Sequence, residues 1–462
     1  MCSVAGAKNP DDVARMLQMM KHRSPDGINK IYDGRFCLGM GRLAVIDLVS
    51  PNLFPYQENG MVLSFNGEIY NYVELREELK KRGHAFHTTS DTEVLMKAWQ
   101  EWGTQCLNKL NGMFAFAVYD GVMVTLARDI AGEKPLYFRR KNFTFASEAK
   151  ALAWDCEELP PGHTLTYNME TYEIAIQRYW SPQKVNIPTH EGGAEEMLEK
   201  LLEDAVRIRT RSDVPYALYV SGGVDSTLIS TFHTFKENIT YTDDDKREEF
   251  LKNFENIVWH LDYPIKSFSA FALWKLAEEA SKKVRVVLSG EGADELFGGY
   301  VRYVQPHFNY LAHTAFPSYT AMFHPARSVH ESGWEEFNGN LQELLRMGDR
   351  MASAWGLENR CPFLDRRIIE FAFSLPHCLK IQGHQTKVIL NRILKKRLPA
   401  YKDIEKAGLY VSVNAWLGMP QEGYGKDTYL KKQQDIWRAF QQQAQVENTL
   451  FNRELIREEK NI

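Results

Sequence analysis

Between residues 1 and 185 the apolar positions come in short alternating or continuous runs: Phe36–Leu48, Val62–Tyr70, Met113–Tyr119, Met123–Arg128, Phe143–Ser147 and Thr164–Tyr167. Runs of that length, with turn residues between several of them, predict β-strands. Asp11–Lys21 and Val73–Lys81 carry a helical period instead, the second stopped by Gly83. The pattern predicts sheets stacked as a sandwich and flanked by helices. Trp180–Pro188 has linker composition, and Glu195–Ile208 then places Met197, Leu198, Leu201, Leu202, Ala205 and Val206 on one side of a helix. Beyond it the pattern becomes that of an α/β unit. The buried-strand candidates Tyr216–Val220 and Val284–Leu288 each run straight into a Ser-Gly turn, which puts polar groups at the carboxyl ends of parallel strands. Past Trp416 the chain turns polar, rich in Gln, Lys and Glu, and reads as helical. Such a tail suits an oligomer contact, as in a homodimer, or a mobile extension. Three segments are therefore expected: 1–185, 190–418 and 419–462.

Composition narrows the setting rather than the fold. The 462 residues are 44% hydrophobic and 25% charged with a formal net charge of −4, ordinary for a globular chain and without the basic footprint of a nucleic-acid or membrane binder. No apolar run is long enough to span a bilayer, and no basic n-region with an apolar h-region opens the chain, so a cytoplasmic protein is expected. Six dispersed cysteines show no CxxC spacing, which suggests neither a disulfide framework nor zinc.

Two stretches carry chemistry. Ser221-Gly-Gly-Val-Asp-Ser226 closes a strand and opens a helix, so its backbone N–H groups and hydroxyls can cradle an anion. A carboxylate at Asp225 would repel a phosphate unless a cation such as Mg²⁺ lay between them. The spacing is not that of a P-loop. At the other end, Cys2 would join a thiol and a free α-amine in one residue if Met1 were removed. Asn66-Gly67 offers a side-chain amide and a backbone N–H, the two donors of an oxyanion hole. Arg42 can pair with an α-carboxylate, and Asp91 or Glu68 can hold an α-ammonium. Together they outline a pocket for a free amino acid attacked by a thiolate.

Over nearly its whole length the chain resembles the glutamine-hydrolysing asparagine synthetases, a family of class II amidotransferases. The resemblance rests on Met1-Cys2 with Ala5-Gly6, His22-Arg-Ser-Pro-Asp26, Arg42-Leu43, Phe65–Tyr72, Ser90–Glu93, Arg128-Asp129, Gly132–Tyr137 and Ala146–Glu148. It continues through Ser221–Ser226, Ser289–Tyr300 and Pro362–Asp365. It implies a fold mixing α+β and α/β classes: an N-terminal-nucleophile αββα sandwich, then an adenine-nucleotide α-hydrolase (PP-loop) domain with a parallel sheet. It further implies that Cys2 is the nucleophile with Asn66 and Gly67 as oxyanion hole, and that Arg42, Leu43, Val45, Ile46, Glu68 and Asp91 hold glutamine. ATP would be bound by Val220, Ser221, Gly222, Gly223, Val224, Asp225 and Ser226 with Ser289 and Gly290, and Mg²⁺ by Asp225 and Asp294. Glu291 would line the acyl-adenylate, and Lys387 would stabilise negative charge in the transition state. Asp349-Arg350 and Glu358–Arg360 also match, as supports for the sites.

The implied activity is glutamine-dependent asparagine synthesis, with glutamine, aspartate and ATP as substrates. Several positions depart from the family pattern. Ser3 and Ser24 stand where glycines are usual, and Asn391 stands where an Arg is usual. The interval between Ser226 and Asp262 is short and shows no apolar run for a second inner strand. That gap leaves two alternatives: the same chemistry on another carboxylate acceptor, or a glutaminase or binding scaffold with a degenerate synthetase half.

Overall fold

The computed structural model describes residues 1–50, 54–190, 192–241, 246–264, 267, 269–300, 303, 329–402 and 430–443. Of the expected polar tail, residues 430–443 are helical; the rest of that expectation lies outside the described residues.

The N-terminal part stacks two six-stranded sheets. One runs, edge to edge, Glu157–Glu158, Tyr137–Arg139, Thr144–Ala146, Ser3–Ala7, Cys37–Gly41 and Ile28–Tyr32. The other runs Ile174–Arg178, His163–Asn168, Met123–Arg128, Gly112–Tyr119, Met61–Ile69 and Tyr56–Glu58. Alternate side chains of each sheet meet in a shared core of Val4, Phe36, Leu38 and Phe145 with Ala115, Ala117, Leu126 and Leu165. The opposite faces are covered by helices: Pro10–Met19 through Val13, Met16 and Leu17, and Tyr72–Lys81 with Asp91–Trp102 through Leu75, Leu79, Val94 and Leu95. This is the αββα sandwich.

The C-terminal part is built on a parallel sheet ordered Glu237–Ile239, Tyr216–Tyr219, Val286–Leu288 and Glu358–Arg360. Strand alternation splits its faces. Leu218, Val286 and Leu288 pack with the helices Gly193–Arg209, Arg366–Ser374 and Val388–Arg397, whereas Ala217 and Val287 pack with Arg247–Leu261, Ser269–Ser281 and Asn340–Ala354. Leu43, Val45, Ile46 and Trp180 belong to the first of these clusters, so the two halves share continuous apolar packing.

Two expectations need correction. The short interval after Ser226 does contain a strand of the parallel sheet, at its edge: Glu237–Ile239 pairs with Tyr216–Tyr219 in register Leu218↔Asn238. It lacks an apolar run because only Ile239 of its three residues is buried. The run Phe36–Leu48 is a strand only over Cys37–Gly41; Arg42 to Leu48 leave the sheet and most of them are buried at the junction between the halves. Asp91–Trp102 forms a helix that the apolar period does not mark out. Residues Asp91 to Ala98 are all buried, polar and apolar alike, so polarity does not mark its solvent side.

Candidate functional site

Cys2 sits where the chain enters the Ser3–Ala7 strand. Its thiol is almost fully buried, 3.5 Å from the Leu43 N–H and 3.7 Å from the Leu43 carbonyl. Burial pushes the thiol up to about 11, against the Met1 ammonium and the Leu43 N–H, which favour thiolate. The Met1 ammonium donates to the Leu357 carbonyl at 3.3 Å, and burial lowers it to about 5. A thiol so protonated requires a base beside it.

Asn66 and Gly67 lie in the Met61–Ile69 strand. The Asn66 amide is fully buried, and neither its oxygen nor its nitrogen finds a hydrogen-bond partner among the described residues. An unpaired buried amide is costly to hold, and a substrate oxygen would satisfy its N–H donors. Gly67 has φ +151°, and a Cβ there would stand 2.0 Å from the Met113 carbonyl oxygen, so only glycine fits.

The candidate glutamine-binding residues divide into two groups. Arg42 donates to the carbonyls of Ile46 (3.1 Å) and Asp47 (2.5 Å) and stacks on Phe54, while its Nη1 has no partner among the described residues. Leu43, Val45 and Ile46 turn their side chains into the shared core, and the Val45 carbonyl accepts the Asp213 N–H at 2.9 Å. Asp91 is the first residue of its helix. Ser90 is the cap, accepting from the Thr92 N–H at 3.1 Å, and Asp91 accepts from the Ile69 N–H at 2.9 Å. That bond ties Asp91 to the strand carrying Glu68. Burial pushes Asp91 up to about 6, and burial together with Asp91 holds Glu68 well above the usual carboxylate range. Two desolvated carboxyls side by side make a strong site for an ammonium.

At the second site the Ser221–Ser226 turn is held by its own hydroxyls, with the Ser221 N–H donating to Ser226 Oγ at 3.2 Å and the two hydroxyls 3.2 Å apart. Val220 donates its N–H to the Ile239 carbonyl at 2.9 Å, which sets the turn beside the strand missed in the sequence. Gly222 has positive φ, and Gly223 precedes the helix that begins at Val224. The two turns touch: a Cβ on Gly290 would lie 2.8 Å from that of Asp225. Asp225 and Asp294 converge on one cation. Lys387 Nζ is 2.6 Å from Asp225 and 2.7 Å from Asp294 Oδ1, and the two carboxylates raise its pKa against the effect of burial. Gly299 closes over this group, since a Cβ there would meet Asp294 Oδ1 at 1.9 Å and Lys387 Cε at 2.1 Å. Glu291 accepts from Asn359 Nδ2 at 3.2 Å and from the Cys361 thiol at 3.7 Å, and burial lifts it to about 7. Ser289 is buried, its N–H on the Arg360 carbonyl at 3.0 Å.

Between the two sites runs a buried ionic seam that single motifs do not reveal. Arg23 donates Nε to the Cys2 carbonyl at 3.0 Å and forks onto Asp349 of the Asn340–Ala354 helix at 2.8 and 3.1 Å. Arg350 pairs with Asp262, whose carboxylate caps the Ala149 and Lys150 N–H groups. Lys134 reaches the Met1 sulfur at 2.9 Å, and the Cys361 thiol sits beside Glu291 and Glu133, both buried acids with raised pKa. Glu133 and Lys134 were visible only as part of a matching string, and Cys361 only as a dispersed cysteine.

The comparisons agree with this two-part geometry. Residues 1–159 match the glutamine amidotransferase domain family, and residues 197–242, 244–339 and 321–459 match the asparagine synthase family. The glutamine-hydrolyzing asparagine synthetase 1 of Bacillus subtilis (strain 168) is 27% identical, over 95% of this chain and 91% of that one. Asparagine synthetase 3 of the same organism is 27% identical over 86% and 85%, and that of Sandersonia aurantiaca 29% over 79% and 74%. With a matching unit at each end and relatives aligned across both, the chain belongs to the asparagine synthase family and carries a glutamine amidotransferase domain ahead of its synthase domain.

Proposed function

We propose that this protein is a glutamine-dependent asparagine synthetase. Cys2 is the nucleophile: its sulfur attacks the amide carbon of glutamine, the C–N bond breaks, and ammonia leaves with a proton delivered by the base at the N-terminus. The developing oxyanion is taken by the Asn66 amide and the Gly67 N–H, and water then splits the thioester to glutamate. Arg42 holds the α-carboxylate of glutamine, with Glu68 and Asp91 on its ammonium. At the second site aspartate attacks ATP through its β-carboxylate, releasing pyrophosphate, and ammonia displaces AMP from β-aspartyl-AMP to give asparagine. Glu291, lifted to about 7, is suited to take the proton that the attacking nitrogen loses. A route kept inside the protein matters because protonated ammonia has no lone pair with which to attack.

The observation that carries the reading is the convergence of Asp225 and Asp294 on one cation beside the Ser221–Ser226 turn. Two carboxylates brought to one point from different strand ends form a hard-oxygen donor set that fits Mg²⁺, and Asp225 and Asp294 would hold it. When bound, the ion supplies charge neutralisation for the pyrophosphate. Lys387 itself stands within reach of that charge. The strand at Glu237–Ile239 removes the main reason for preferring another carboxylate acceptor or a degenerate synthetase half.

The test is product analysis with amide-¹⁵N glutamine, ATP, Mg²⁺ and aspartate. Label in the asparagine side-chain amide, with equimolar AMP and pyrophosphate, is expected. Glutamate without pyrophosphate would overturn the reading, and pyrophosphate release only with a different carboxylate would reassign the acceptor.

A further inference from the structure

Arg360 joins the two candidate sites through a single residue. Its backbone belongs to the parallel sheet, in register with Leu288, and its carbonyl accepts the Ser289 N–H at 3.0 Å, fastening the Ser289–Glu291 turn. Its side chain is fully buried. Nη1 donates to the carbonyls of Arg209 (2.8 Å) and Arg211 (2.7 Å), and Nε donates to Glu358 at 2.8 Å, so the guanidinium is fixed in place. The remaining nitrogen, Nη2, lies 3.4 Å from Glu68 Oε1 and has no hydrogen bond among the described residues. The Arg360 Cζ lies over the Tyr70 ring, 5.6 Å from the ring centroid.

We infer that Arg360 is a positioning residue for glutamine, holding the Glu68 carboxyl aimed so that it can receive the substrate's α-ammonium. The inference rests on the reading of Glu68 as that receptor. The charged groups around Glu68 leave Arg360 a distinct part. Asp91 and Glu358 oppose its ionisation and burial opposes it most, whereas Arg360 and, more weakly, Lys134 favour it. Glu68 in turn lies within electrostatic reach of Cys2. An arginine pinned by two backbone carbonyls keeps its charge in one position, which a mobile lysine could not do. Because the same residue bonds Ser289, the receptor for glutamine is referenced to the synthetase turn rather than to its own sheet alone.

Arg360→Gln and Arg360→Lys, each also placed in a Glu68→Gln background, would be assayed for glutaminase activity across pH and for ammonia-dependent synthesis. Arg360→Gln is expected to raise the glutamine KM on the order of tenfold with a smaller change in kcat. Loss of the guanidinium raises the pKa of Glu68, so the acid limb of kcat/KM, which reports the free enzyme, moves to higher pH. Arg360→Lys should recover part of the shift, and Arg360→Gln should add nothing once Glu68 is neutral. An unchanged KM and pH limb in Arg360→Gln, with Glu68→Gln impaired, overturns the inference alone. So does an equal fall with glutamine and with ammonia, which marks a purely structural residue. Should Glu68→Gln itself leave the glutamine KM untouched, the receptor reading fails. If Arg360→Gln gives no folded protein, the Arg360→Lys pH limb decides by the same criteria, a limb left where the parent enzyme has it counting against the inference.

Discussion

Cys2 and Asp91 illustrate how a residue's neighbours set its chemistry. Cys2→Ala removes the sulfur but leaves the distant carboxylate pair untouched, so glutamine-dependent synthesis should fall to background while ammonia-dependent synthesis persists. Amide formation measured with each nitrogen source checks this. Intact mass should also show activity only in molecules that begin at Cys2, because the amine now beside the thiol belongs to Met1 and is engaged by Leu357. Asp91 is held at about 6, above the ~3.9 of an unfolded chain, so the native state binds the proton more tightly. Its contribution to stability is therefore greatest below about pH 4, declines as pH rises through about 6, and is a net penalty at neutral pH. Asp91→Asn should gain about 1–3 kcal/mol at pH 7, and nothing near pH 4, in denaturant titrations. The glutamine KM should rise in the same variant, since stability and ammonium binding make opposite demands on this carboxyl.

At the scale of elements, the Asp91–Trp102 helix shows why some structure was hidden from pattern reading. It starts because Ser90 caps it and stops at Gly103, whose φ of 56° no longer continues the helix. Both signals are present in the sequence, but Asp91, Thr92, Glu93 and Lys97 are buried along with their apolar neighbours, so polarity there does not point to solvent. Ser90→Ala should cost about 1 kcal/mol in urea unfolding and should also raise the glutamine KM, because the cap places Asp91. A Thr replacement should restore most of both. The strand Glu237–Ile239 was hidden for a complementary reason: three residues at a sheet edge need no apolar run when their main chain is bonded on one side. By contrast, the Met61–Ile69 and Gly112–Tyr119 strands, the Gly193–Arg209 helix and both Ser-Gly turns were legible, since each carries its full period or turn chemistry within a dozen residues.

For the whole molecule, the buried seam is the feature that makes two units one. Asp349 meets Arg23 in a two-pronged pair, with both side chains essentially without solvent access. Asp349→Ala removes one of the two buried carboxylates that neutralise Arg23, Glu148 at 2.9 Å being the other, and should destabilise the protein by about 3 kcal/mol. Glu157→Ala, which breaks the exposed pair with Arg140, should change stability by no more than about 0.5 kcal/mol. Chemical denaturation of both variants tests the contrast. The local chemistry could be read from the chain: a thiol at position 2, an amide followed by a glycine, an acidic residue inside a serine-glycine turn. These depend on neighbours a few positions away, and backbone sterics and hydrogen bonding at that range are encoded directly. Folding alone decided that Asp225 meets Asp294, that Glu68 faces Arg360, and that Arg23 spans from Cys2 to Asp349. Each joins residues dozens to hundreds of positions apart, and desolvation gives such contacts their strength, a property that exists only after the chain has closed around them.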